Sequence, residues 1–509
     1  MRSNYRGPKV ASGGGDLGVS SSWMMAMALD TDLMYRAMVS RDRRFEGHFV
    51  IGVRTTGIYC RPGCPARMPR RENIRFFPCT AAAQAAGLRP CLRCRPDAAP
   101  GTPAALGTPA TVTRALRLIA QGALDDAGVD PLAERLGVTA RHLRRLFDRH
   151  LGASPLEVAH TQRVHFARKL LEETALSMTE VAHAAGFASV RRFNEAMRDA
   201  LDATPTELRS RGRGRAKAAP TRSRDAGDAV VLRLPYREPL AFEELLAFLG
   251  ARAIPGVERV GDGTYTRVVS SGAPGEGPGT IAVRRSAAGA HLLVTIRGVG
   301  GADLFALVAR VRALFDLDAD PARIDAHLAR DRVLGAAVRA RPGLRVPGAW
   351  DPFEIAVRAI LGQQVSVRAA STLAGRLVAR FGRAVEGGTD GLTHLFPEPA
   401  ALVDADIAAI GMPRARAEAI RGLARAVAGG EGLIEDSERF TSLPGVGAWT
   451  AGYVAMRALR DPDAFPRGDV VLRRFERASD PWRPWRAYAA MHLWTMRIRR
   501  RRADGPKDH

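Results

Sequence analysis

The strongest constraint in this sequence is the placement of its cysteines. Four of the five form two close pairs, Cys60 with Cys64 and Cys91 with Cys94, and residues 65 to 90 separate the pairs. A folded loop of that length can bring four thiolates around one tetrahedral zinc ion at Zn–S distances of about 2.3 Å. The spacing therefore predicts a four-cysteine zinc site, and by itself it leaves open whether the zinc is only structural.

Length and charge narrow the class of protein. A chain of 509 residues is too long for one hydrophobic core and suggests about three or four domains. Lys and Arg number 76 against 53 Asp and Glu, and this excess favours a polyanionic partner without distinguishing nucleic acid from a membrane surface. No apolar run approaches the roughly 20 residues that cross a bilayer, so no membrane partner is expected. Few cysteines, paired at metal-ligand spacing, indicate a reducing, cytoplasmic location.

Shifts in composition divide the chain into segments. Residues 96 to 109 are rich in Ala, Pro and Gly, and residues 210 to 228 are rich in Arg, Ala, Gly and Ser, so both stretches are interpreted as linkers. The predicted segments are a disordered extension (1–30), a zinc-binding domain (31–98), a linker (99–110), a helical DNA-binding domain (111–209), a basic linker (210–228), a small α+β domain (229–304), a helical domain (305–497) and a basic tail (498–509).

The segment from 111 to 209 repeats one outline. Residues 130–138 and 177–187 each indicate a short helix stopped by Gly, and a second helix follows each of them. Thr139 and Ser189 are the predicted N-caps of those second helices. The pattern predicts two tandem helix-turn-helix units. Candidates for DNA contact on the second helices are Arg141, Arg144, Arg145, Arg191 and Arg192.

Beyond residue 229 the pattern changes. Short β-rich runs alternate with turns, which predicts a small antiparallel sheet and a helix over 240–251. The predicted strands are 230–234, 265–269, 281–285 and 292–297. After about 302 only helical periodicity is visible. The predicted fold class is multidomain α+β: a small zinc-binding α/β module, an all-α tandem helix-turn-helix domain, a small antiparallel α+β domain and an all-α C-terminal domain.

The sequence around the cysteines resembles a known family. Residues 53–67 (Val-Arg-Thr-Thr-Gly-Ile-Tyr-Cys-Arg-Pro-Gly-Cys-Pro-Ala-Arg), 71–73 (Arg-Glu-Asn) and 89–94 (Arg-Pro-Cys-Leu-Arg-Cys) are similar to the N-terminal domain of Ada-type adaptive-response regulators. The resemblance implies that Cys60 irreversibly accepts a methyl group from a methyl phosphotriester of DNA. Four thiolates on one Zn²⁺ leave a net charge of about −2, which keeps sulfur nucleophilic. Candidates for phosphate contact nearby are Arg61, Arg67, Arg70, Arg71 and Arg75.

The helical segment also carries a resemblance. The tandem units, with Gly186-Phe187 and the closing residues 203–209 (Ala-Thr-Pro-Thr-Glu-Leu-Arg), resemble the AraC-type DNA-binding domain that follows the zinc module in Ada-type proteins. The resemblance implies binding of promoter DNA and, once the protein is methylated, contact with RNA polymerase. Methylation would remove one negative charge beside DNA and so raise affinity for it.

The C-terminal region resembles AlkA-type 3-methyladenine DNA glycosylases over about 230 to 496. The motifs are 341–348 (Arg-Pro-Gly-Leu-Arg-Val-Pro-Gly), 359–366 (Ala-Ile-Leu-Gly-Gln-Gln-Val-Ser), 410–414 (Ile-Gly-Met-Pro-Arg) and 443–451 (Leu-Pro-Gly-Val-Gly-Ala-Trp-Thr-Ala). The last resembles a helix-hairpin-helix, in which glycines let backbone amides approach a phosphate. The resemblance therefore implies an all-α helix-hairpin-helix glycosylase domain.

Residue roles in this region follow from the resemblance. Asp469 stands where the family has its catalytic aspartate, although an Asp after a turn is by itself usually a helix cap. Gln364 stands where an apolar side chain is wedged into the emptied base stack, and Gly445 and Gly447 are assigned to phosphate contact. The residues assigned to the base pocket are Phe248, Trp449, Tyr453 and Trp494. The carbonyls assigned to a bound Na⁺ or K⁺ are those of Thr441, Leu443 and Val446.

These features predict one bifunctional DNA-alkylation response protein. It would transfer methyl groups from phosphotriesters to a zinc-bound cysteine, regulate transcription, and hydrolytically excise alkylated bases such as 3-methyladenine. No lysine lies between residues 443 and 469, which argues against lyase chemistry. Two alternatives stay open at this point: a transcription regulator whose C-terminal region binds DNA without catalysis, and a glycosylase with a purely structural zinc.

Overall fold

The computed structural model of the protein describes most of the chain between residues 30 and 503. The described residues are 30–42, 45–91, 93–94, 96, 110–125, 127–215, 229–270, 277–386, 390–429, 434 and 440–503. The predicted extension up to residue 29, the linker from 99 to 109 and residues 216–228 of the basic linker lie outside them.

The N-terminal unit is a small sheet flanked by helices, which confirms the predicted α/β module. Its elements are α1 (Thr31–Val39), β1 (Val50–Val53), β2 (Ile58–Cys60), β3 (Ile74–Phe77), α2 (Thr80–Ala85) and β4 (Arg89–Pro90). The strand order is β3-β1-β2-β4, and the β2–β4 pair is parallel whereas the others are antiparallel. Parallel pairing places Tyr59 opposite Pro90, so the residues that follow in both strands leave the sheet side by side.

The second unit is helical. Its helices are α3 (Ala110–Ala120), α4 (Val129–Arg135), α5 (Ala140–Leu151), α6 (Pro155–Glu173), α7 (Met178–Ala184), α8 (Val190–Leu201) and α9 (Pro205–Arg215). Thr139 and Ser189 cap α5 and α8 as predicted, since each side chain accepts a hydrogen bond from the N–H three residues later. Leu143 and Phe193 are fully buried, so α5 and α8 keep one apolar face inside and the other toward solvent.

Helix α9 corrects one predicted boundary. The helix continues to Arg215, inside the stretch 210–228 that was assigned to a linker. Residues 210–215 contain no proline, and arginine is a good helix former, so the glycines there do not end the helix.

The third unit contains an antiparallel sheet of order β5-β9-β8-β7-β6. Its elements are β5 (Val230–Pro235), α10 (Phe242–Gly250), β6 (Glu258–Gly261), β7 (Thr264–Val269), β8 (Gly279–Arg285) and β9 (His291–Arg297). Strand β6 is an addition to the four predicted strands and pairs with β7 across a tight turn. Its residues Glu258 and Arg259 lack the β-branched side chains that mark a strand, so the pattern alone did not reveal it.

Helices follow the sheet. They are α11 (Leu304–Leu314), α12 (Pro321–Leu328), α13 (Gly335–Ala340), α14 (Pro352–Leu361), α15 (Val367–Phe381), α16 (Pro399–Leu402), α17 (Arg414–Ala428), α18 (Ala448–Arg457) and α19 (Arg486–Ala503). Leu307 and Val311 of α11 share a core with Ile281 and Val294 of the sheet, so the sheet-containing unit extends past residue 304. Helix α19 likewise continues into the predicted tail.

The units pack on one another. Helix α6 joins the core of the sheet, with the Phe166 and Phe305 ring centroids 5.1 Å apart. The N-terminal unit meets the C-terminal region where His48 Nε2 lies 2.7 Å from Asp320 Oδ2, and both side chains are buried. Among the described helices, none is both long and apolar enough to cross a membrane.

Candidate functional site

Four cysteine sulfurs converge where β2 and β4 end. Cys60 is the last residue of β2, and Cys91 directly follows β4, held there by a 2.9 Å hydrogen bond from its N–H to the Tyr59 carbonyl. A tight turn after β2 returns Cys64 to the same point. The Sγ atoms of these three residues and of Cys94 all lie within 4.8 Å of one another. The structure thus brings together the four ligands predicted from spacing.

This cluster fits a zinc ion. A tetrahedron with Zn–S bonds of about 2.3 Å has sulfur–sulfur edges of about 3.8 Å, and the observed separations of at most 4.8 Å agree with that size. Four soft thiolates are the donor set that Zn²⁺ prefers in closed sites. One Zn²⁺ is therefore the metal that this site holds.

Burial divides the four ligands into two kinds. Cys91 and Cys94 are buried, whereas Cys60 and Cys64 are half-buried and reach solvent. Cys79 lies outside the cluster, where its Sγ donates to the Leu151 carbonyl and burial raises the pKa of its thiol to about 11. Among the four ligands, only Cys60 and Cys64 are therefore exposed enough to react with a group from outside the protein.

Arg61, next to Cys60, has a partner inside the protein. Its Nη1 lies 2.9 Å from Glu46 Oε2, in an ion pair that is largely buried. Arg237 of the sheet-containing unit donates to the Glu46 carbonyl. Arg61 therefore belongs to the contact between units, and exposed arginines such as Arg67 are better placed for phosphate contact.

The candidate DNA-contacting arginines of the helical unit all lie on the solvent face of the second helix of their helix-turn-helix unit. The exposed residues are Arg141, Arg144, Arg145, Arg191 and Arg192. The pair between Arg191 and Glu195 is strongly exposed and therefore weak, so it leaves Arg191 available to a phosphate or a base.

Asp469 is held on both of its oxygens. Oδ1 accepts hydrogen bonds from Trp494 Nε1 at 3.0 Å and from the N–H groups of Val471 and Leu472. Oδ2 accepts one from Trp449 Nε1 at 3.2 Å. The backbone contacts make Asp469 a cap of the following helical turn, and the indole contacts aim the same carboxylate at an aromatic site. The two interpretations of this residue are thus compatible.

Aromatic rings form a stack at this carboxylate. Trp449 and Tyr453, one turn apart on α18, lie nearly parallel with centroids 5.2 Å apart, and Trp494 is 6.3 Å from Tyr453. Phe248 is 6% exposed and makes no ring contact with these three; it lies against the guanidinium groups of Arg252 and Arg457. Of the predicted pocket residues, Trp449 and Trp494 contact Asp469, Tyr453 stacks on Trp449, and Phe248 packs against arginines instead.

The hairpin before α18 needs its first glycine. Gly445 has φ +83°, and a Cβ there would lie 2.6 Å from the Ala419 Cβ. Gly447 is exposed and is the N-cap residue of α18, where the first helical N–H groups face outward. Of the carbonyls assigned to an alkali-metal ion, that of Leu443 accepts the Val446 N–H at 3.1 Å.

Two neighbouring glutamines differ in their surroundings. Gln364 is exposed in the loop between α14 and α15, with φ +56°. Gln363 Nε2 donates to the Gly445 carbonyl at 2.8 Å and to Thr450 Oγ1 at 3.0 Å, and its own carbonyl accepts from Arg416. Through these hydrogen bonds, Gln363 ties the loop that contains Gln364 to the hairpin.

Replacing Gln363 with alanine is expected to lower the free energy of unfolding by about 1–2 kcal/mol, because two hydrogen bonds across the hairpin are lost. Gln364→Ala is the matched control and is expected to change it by less than about 0.5 kcal/mol. Chemical denaturation of both variants makes the comparison. Equal stabilities would show that the Gln363 contacts are not maintained in solution.

Sequence reasoning missed Gln363 and Arg457. Gln363 carried a weak signal, since it is a polar residue at the end of the apolar helix α14 beside a residue already selected. Arg457 carried none, because it follows Tyr453 at ordinary helical spacing and its contacts with the Pro347 and Gly348 carbonyls join segments distant in sequence.

Comparison with known proteins covers the chain in consecutive pieces. Residues 33–97 match the metal binding domain of Ada, and residues 132–211 match a helix-turn-helix domain. Residues 231–351 match the AlkA N-terminal domain, and residues 357–491 match the HhH-GPD superfamily of base excision DNA repair proteins. The order of these matches is the order predicted from the motifs.

One similar protein matches nearly the whole chain, and two others each match one part of it. A Mycobacterium tuberculosis protein described as "Probable bifunctional transcriptional activator/DNA repair enzyme AlkA" is 45% identical over 487 residues, which are 92% of this chain and 96% of that protein. DNA-3-methyladenine glycosylase 2 of Escherichia coli is 35% identical over 51% of this chain and 95% of its own length. The bifunctional transcriptional activator/DNA repair enzyme Ada of Escherichia coli is 34% identical over 37% of this chain and 51% of its own length. The chain therefore belongs to the family of bifunctional transcriptional activator/DNA repair enzymes that join an Ada-type zinc-binding and helix-turn-helix region to an AlkA-type DNA glycosylase.

Proposed function

We propose that this protein excises alkylated bases such as 3-methyladenine from double-stranded DNA, accepts methyl groups from DNA phosphotriesters on Cys60, and regulates transcription from promoter DNA. The observation that carries the excision activity is the Asp469 carboxylate, held between the indole N–H groups of Trp449 and Trp494 beside a stack of aromatic rings.

Base excision would proceed at this carboxylate. The target nucleotide must leave the duplex, and Trp449, Tyr453 and Trp494 supply faces on which the base can stack. When the bond between C1′ and the base nitrogen breaks, its electron pair leaves with the base and positive charge develops on the sugar. Asp469 stabilises that charge and accepts a proton from the water whose oxygen bonds to C1′.

DNA would be held around the pocket by neighbouring segments. Gly445 and Gly447 let the hairpin backbone approach a phosphate, and exposed Gln364 enters the gap left by the flipped nucleotide. A Na⁺ or K⁺ ion bound by the carbonyls of Thr441, Leu443 and Val446 would reinforce the hairpin. These assignments rest on the family motif and on the exposure of the hairpin and loop.

Methyl transfer would occur at the zinc site. Bound zinc keeps its cysteine ligands deprotonated at neutral pH. The Cys60 sulfur attacks the methyl carbon and forms a new S–C bond. The C–O bond breaks, and its electron pair stays on the oxygen, so the phosphotriester becomes a negatively charged phosphodiester. Half-buried Cys60 is accessible for this attack, whereas Cys91 and Cys94 hold the metal from inside.

Regulation would use the exposed arginines of α5 and α8 on promoter DNA. Loss of one negative charge on methylation strengthens binding, and we propose that the methylated protein then contacts RNA polymerase in the cytoplasm. The bifunctional activator names of its relatives support this role.

The direct test of excision uses the full chain and duplex DNA treated with a methylating agent. Free 3-methyladenine is expected to appear while the strands stay intact, since no lysine for lyase chemistry lies between residues 443 and 469. Chromatography of released bases and denaturing gels of the DNA measure both. Absence of free base, with DNA binding retained, would favour a catalytically inert DNA-binding region.

A further inference from the structure

Tyr59, the residue before Cys60 on β2, connects the zinc site to the helical unit. Its side chain is fully buried. Its hydroxyl lies 3.3 Å from Nε2 of His165 on α6 and accepts a hydrogen bond from Gln84 Nε2 of α2 at 3.2 Å. The strand that ends at the proposed methyl acceptor is therefore bonded, through the side chain beside it, to the DNA-binding part of the chain.

A second side chain of α6 completes this contact. Thr161 lies one helical turn before His165 and donates from Oγ1 to Gln84 Oε1 at 2.7 Å. Thr161 is buried, and Gln84 and His165 are half-buried, so these hydrogen bonds are largely shielded from water. In such surroundings a hydrogen bond is electrostatically stronger than in water, and breaking it leaves a costly unpaired group. We refer to Tyr59, Gln84, Thr161 and His165 as the α6 contact.

The backbone of Tyr59 belongs to the zinc site itself. Its carbonyl oxygen accepts the Cys91 N–H at 2.9 Å, and Cys60 follows it directly in the chain. One residue thus holds a ligand from each cysteine pair through its backbone, while its hydroxyl is bonded to α6. A displacement of β2 relative to α6 would move both of these ligands.

Other contacts between the N-terminal and helical units are less able to fix this position. Arg89 of β4 pairs with Asp202 at the end of α8, but the two side chains are 40% and 73% exposed, and exposed ion pairs contribute little. The Cys79 thiol, which donates to the Leu151 carbonyl, is a weak donor. Ala81 joins the core of α3 to α5, but apolar packing is not directional. The α6 contact therefore supplies the buried, directional part of this interface.

Helix α6 also packs against both helices that carry the candidate DNA-contacting arginines. Val158, near its start, shares a core with Phe147 of α5. Leu170, near its end, shares a core with Phe193 of α8. The α6 contact lies between these two points on the helix, so it sets where the zinc site stands relative to α5 and α8.

We propose that Tyr59 is a positioning residue for methyl transfer: its hydroxyl, through the α6 contact, holds the Cys60 sulfur where DNA bound by α5 and α8 presents a methyl phosphotriester. The inference rests on the proposed transfer to Cys60. Because Tyr59 is fully buried, it acts through the strand that carries the nucleophile rather than on the methyl group itself. The helix-turn-helix region is in this way part of the methyl-acceptor site as well as the reader of promoter DNA.

Transfer from DNA depends on position more than transfer from a small molecule does. The sulfur must approach the methyl carbon in line with the breaking C–O bond, and the duplex fixes where that carbon lies. A misplacement of about 1 Å can then cost a factor of about 10² in rate. Methyl iodide diffuses freely and reaches an accessible sulfur from any open direction, so its reaction reports the zinc-bound thiolate without the contribution of position.

The full chain and its Tyr59→Phe variant make the first comparison, with a duplex that carries methyl phosphotriesters and with methyl iodide, from which the Cys60 sulfur displaces iodide. At protein concentrations that saturate the duplex, the variant is expected to accept the methyl group from DNA about tenfold more slowly. Its rate with methyl iodide and its zinc content are expected to match those of the wild type. Mass spectrometry of the Cys60 peptide measures both rates.

Two results would overturn the positioning role. The first is an unchanged rate with phosphotriester DNA in Tyr59→Phe. The second is an equal fall with methyl iodide, or a loss of zinc, since either would show that the hydroxyl maintains the zinc site as a whole. A wild-type chain that reacts with methyl iodide but not with phosphotriester DNA would instead contradict methyl transfer itself and the positioning with it.

The helical side of the contact is tested by His165→Ala. This variant is expected to show the same selective slowing, and its combination with Tyr59→Phe should be about as slow as each single variant, because both changes remove one interaction. Factors that multiply in the double variant would overturn the role of α6. Tyr35→Phe is the matched control. Tyr35 lies on α1 of the same N-terminal unit, with its ring centroid 4.7 Å from the Cζ of Arg71, and both rates of this variant should match the wild type.

Discussion

Replacing Asp469 with asparagine is expected to slow the release of 3-methyladenine from alkylated DNA by a factor of about 10² to 10³ or more. The amide keeps an oxygen that can accept the Val471 and Leu472 N–H groups, so the cap of the following turn survives. It lacks the negative charge that stabilises the sugar as the base departs, and its NH₂ group cannot accept the indole N–H of Trp449. The rate of base release should therefore fall far more than the stability of the fold.

A neighbouring acid provides the control for this prediction. Asp480 is exposed and pairs with Arg483 at 3.3 Å, away from the aromatic stack. Asp480→Asn should therefore retain the wild-type rate, measured in single-turnover assays with enzyme in excess. Equal release by Asp469→Asn and wild type, with matching thermal midpoints, would show that the catalytic carboxylate lies elsewhere.

Replacing Cys60 with alanine is expected to abolish methyl transfer from phosphotriester-containing DNA. Mass spectrometry of the wild-type protein after exposure to such DNA should show one added methyl group, located on Cys60 after proteolysis, and the variant should show none. The loss is complete in principle because the transfer is stoichiometric and depends on this sulfur. Base excision at Asp469 should persist in the same variant.

Cys79 is the matched control for Cys60. Its thiol hydrogen-bonds the Leu151 carbonyl, and burial keeps its pKa at about 11, so it stays protonated and shielded. Cys79→Ala should accept a methyl group as the wild type does. Cys60 and Cys64 are both only half-buried, so either sulfur is accessible. A methyl group found on Cys64 would contradict the assignment of Cys60 as the methyl acceptor. An unmodified wild-type protein would mean that the zinc is purely structural.

Local sequence patterns predicted the elements whose interactions are local. Thr139 and Ser189 cap their helices because a cap needs only a side-chain oxygen and an N–H three residues later. Strand β6 escaped prediction because it is held by pairing with β7 rather than by its own composition. Helix α9 extends into the residues assigned to a linker, because glycine weakens a helix without terminating it.

The candidate site shows the same division. Spacing identified the four zinc ligands, because two short pairs can meet if the chain between them returns to its starting point, and here it returns so that β4 lies parallel to β2. The assignment of Asp469 depended on the family motif, since its backbone contacts alone describe a helix cap. Phe248 was assigned to the pocket, but its ring lies against the guanidinium groups of Arg252 and Arg457 instead of stacking on the other pocket rings.

The sequence by itself determined that this chain carries four zinc ligands, two helix-turn-helix units and a glycosylase-like region, because each of these is encoded in short runs of adjacent residues. Only the tertiary structure decided which groups act on one another across those runs. Arg61 is paired with Glu46, Gln363 holds the hairpin at Gly445, and Arg457 donates to the carbonyls of Pro347 and Gly348. The partners in these pairs lie well apart in the sequence. The strength of a charge interaction also depends on burial and on separation in space, and a linear pattern specifies neither.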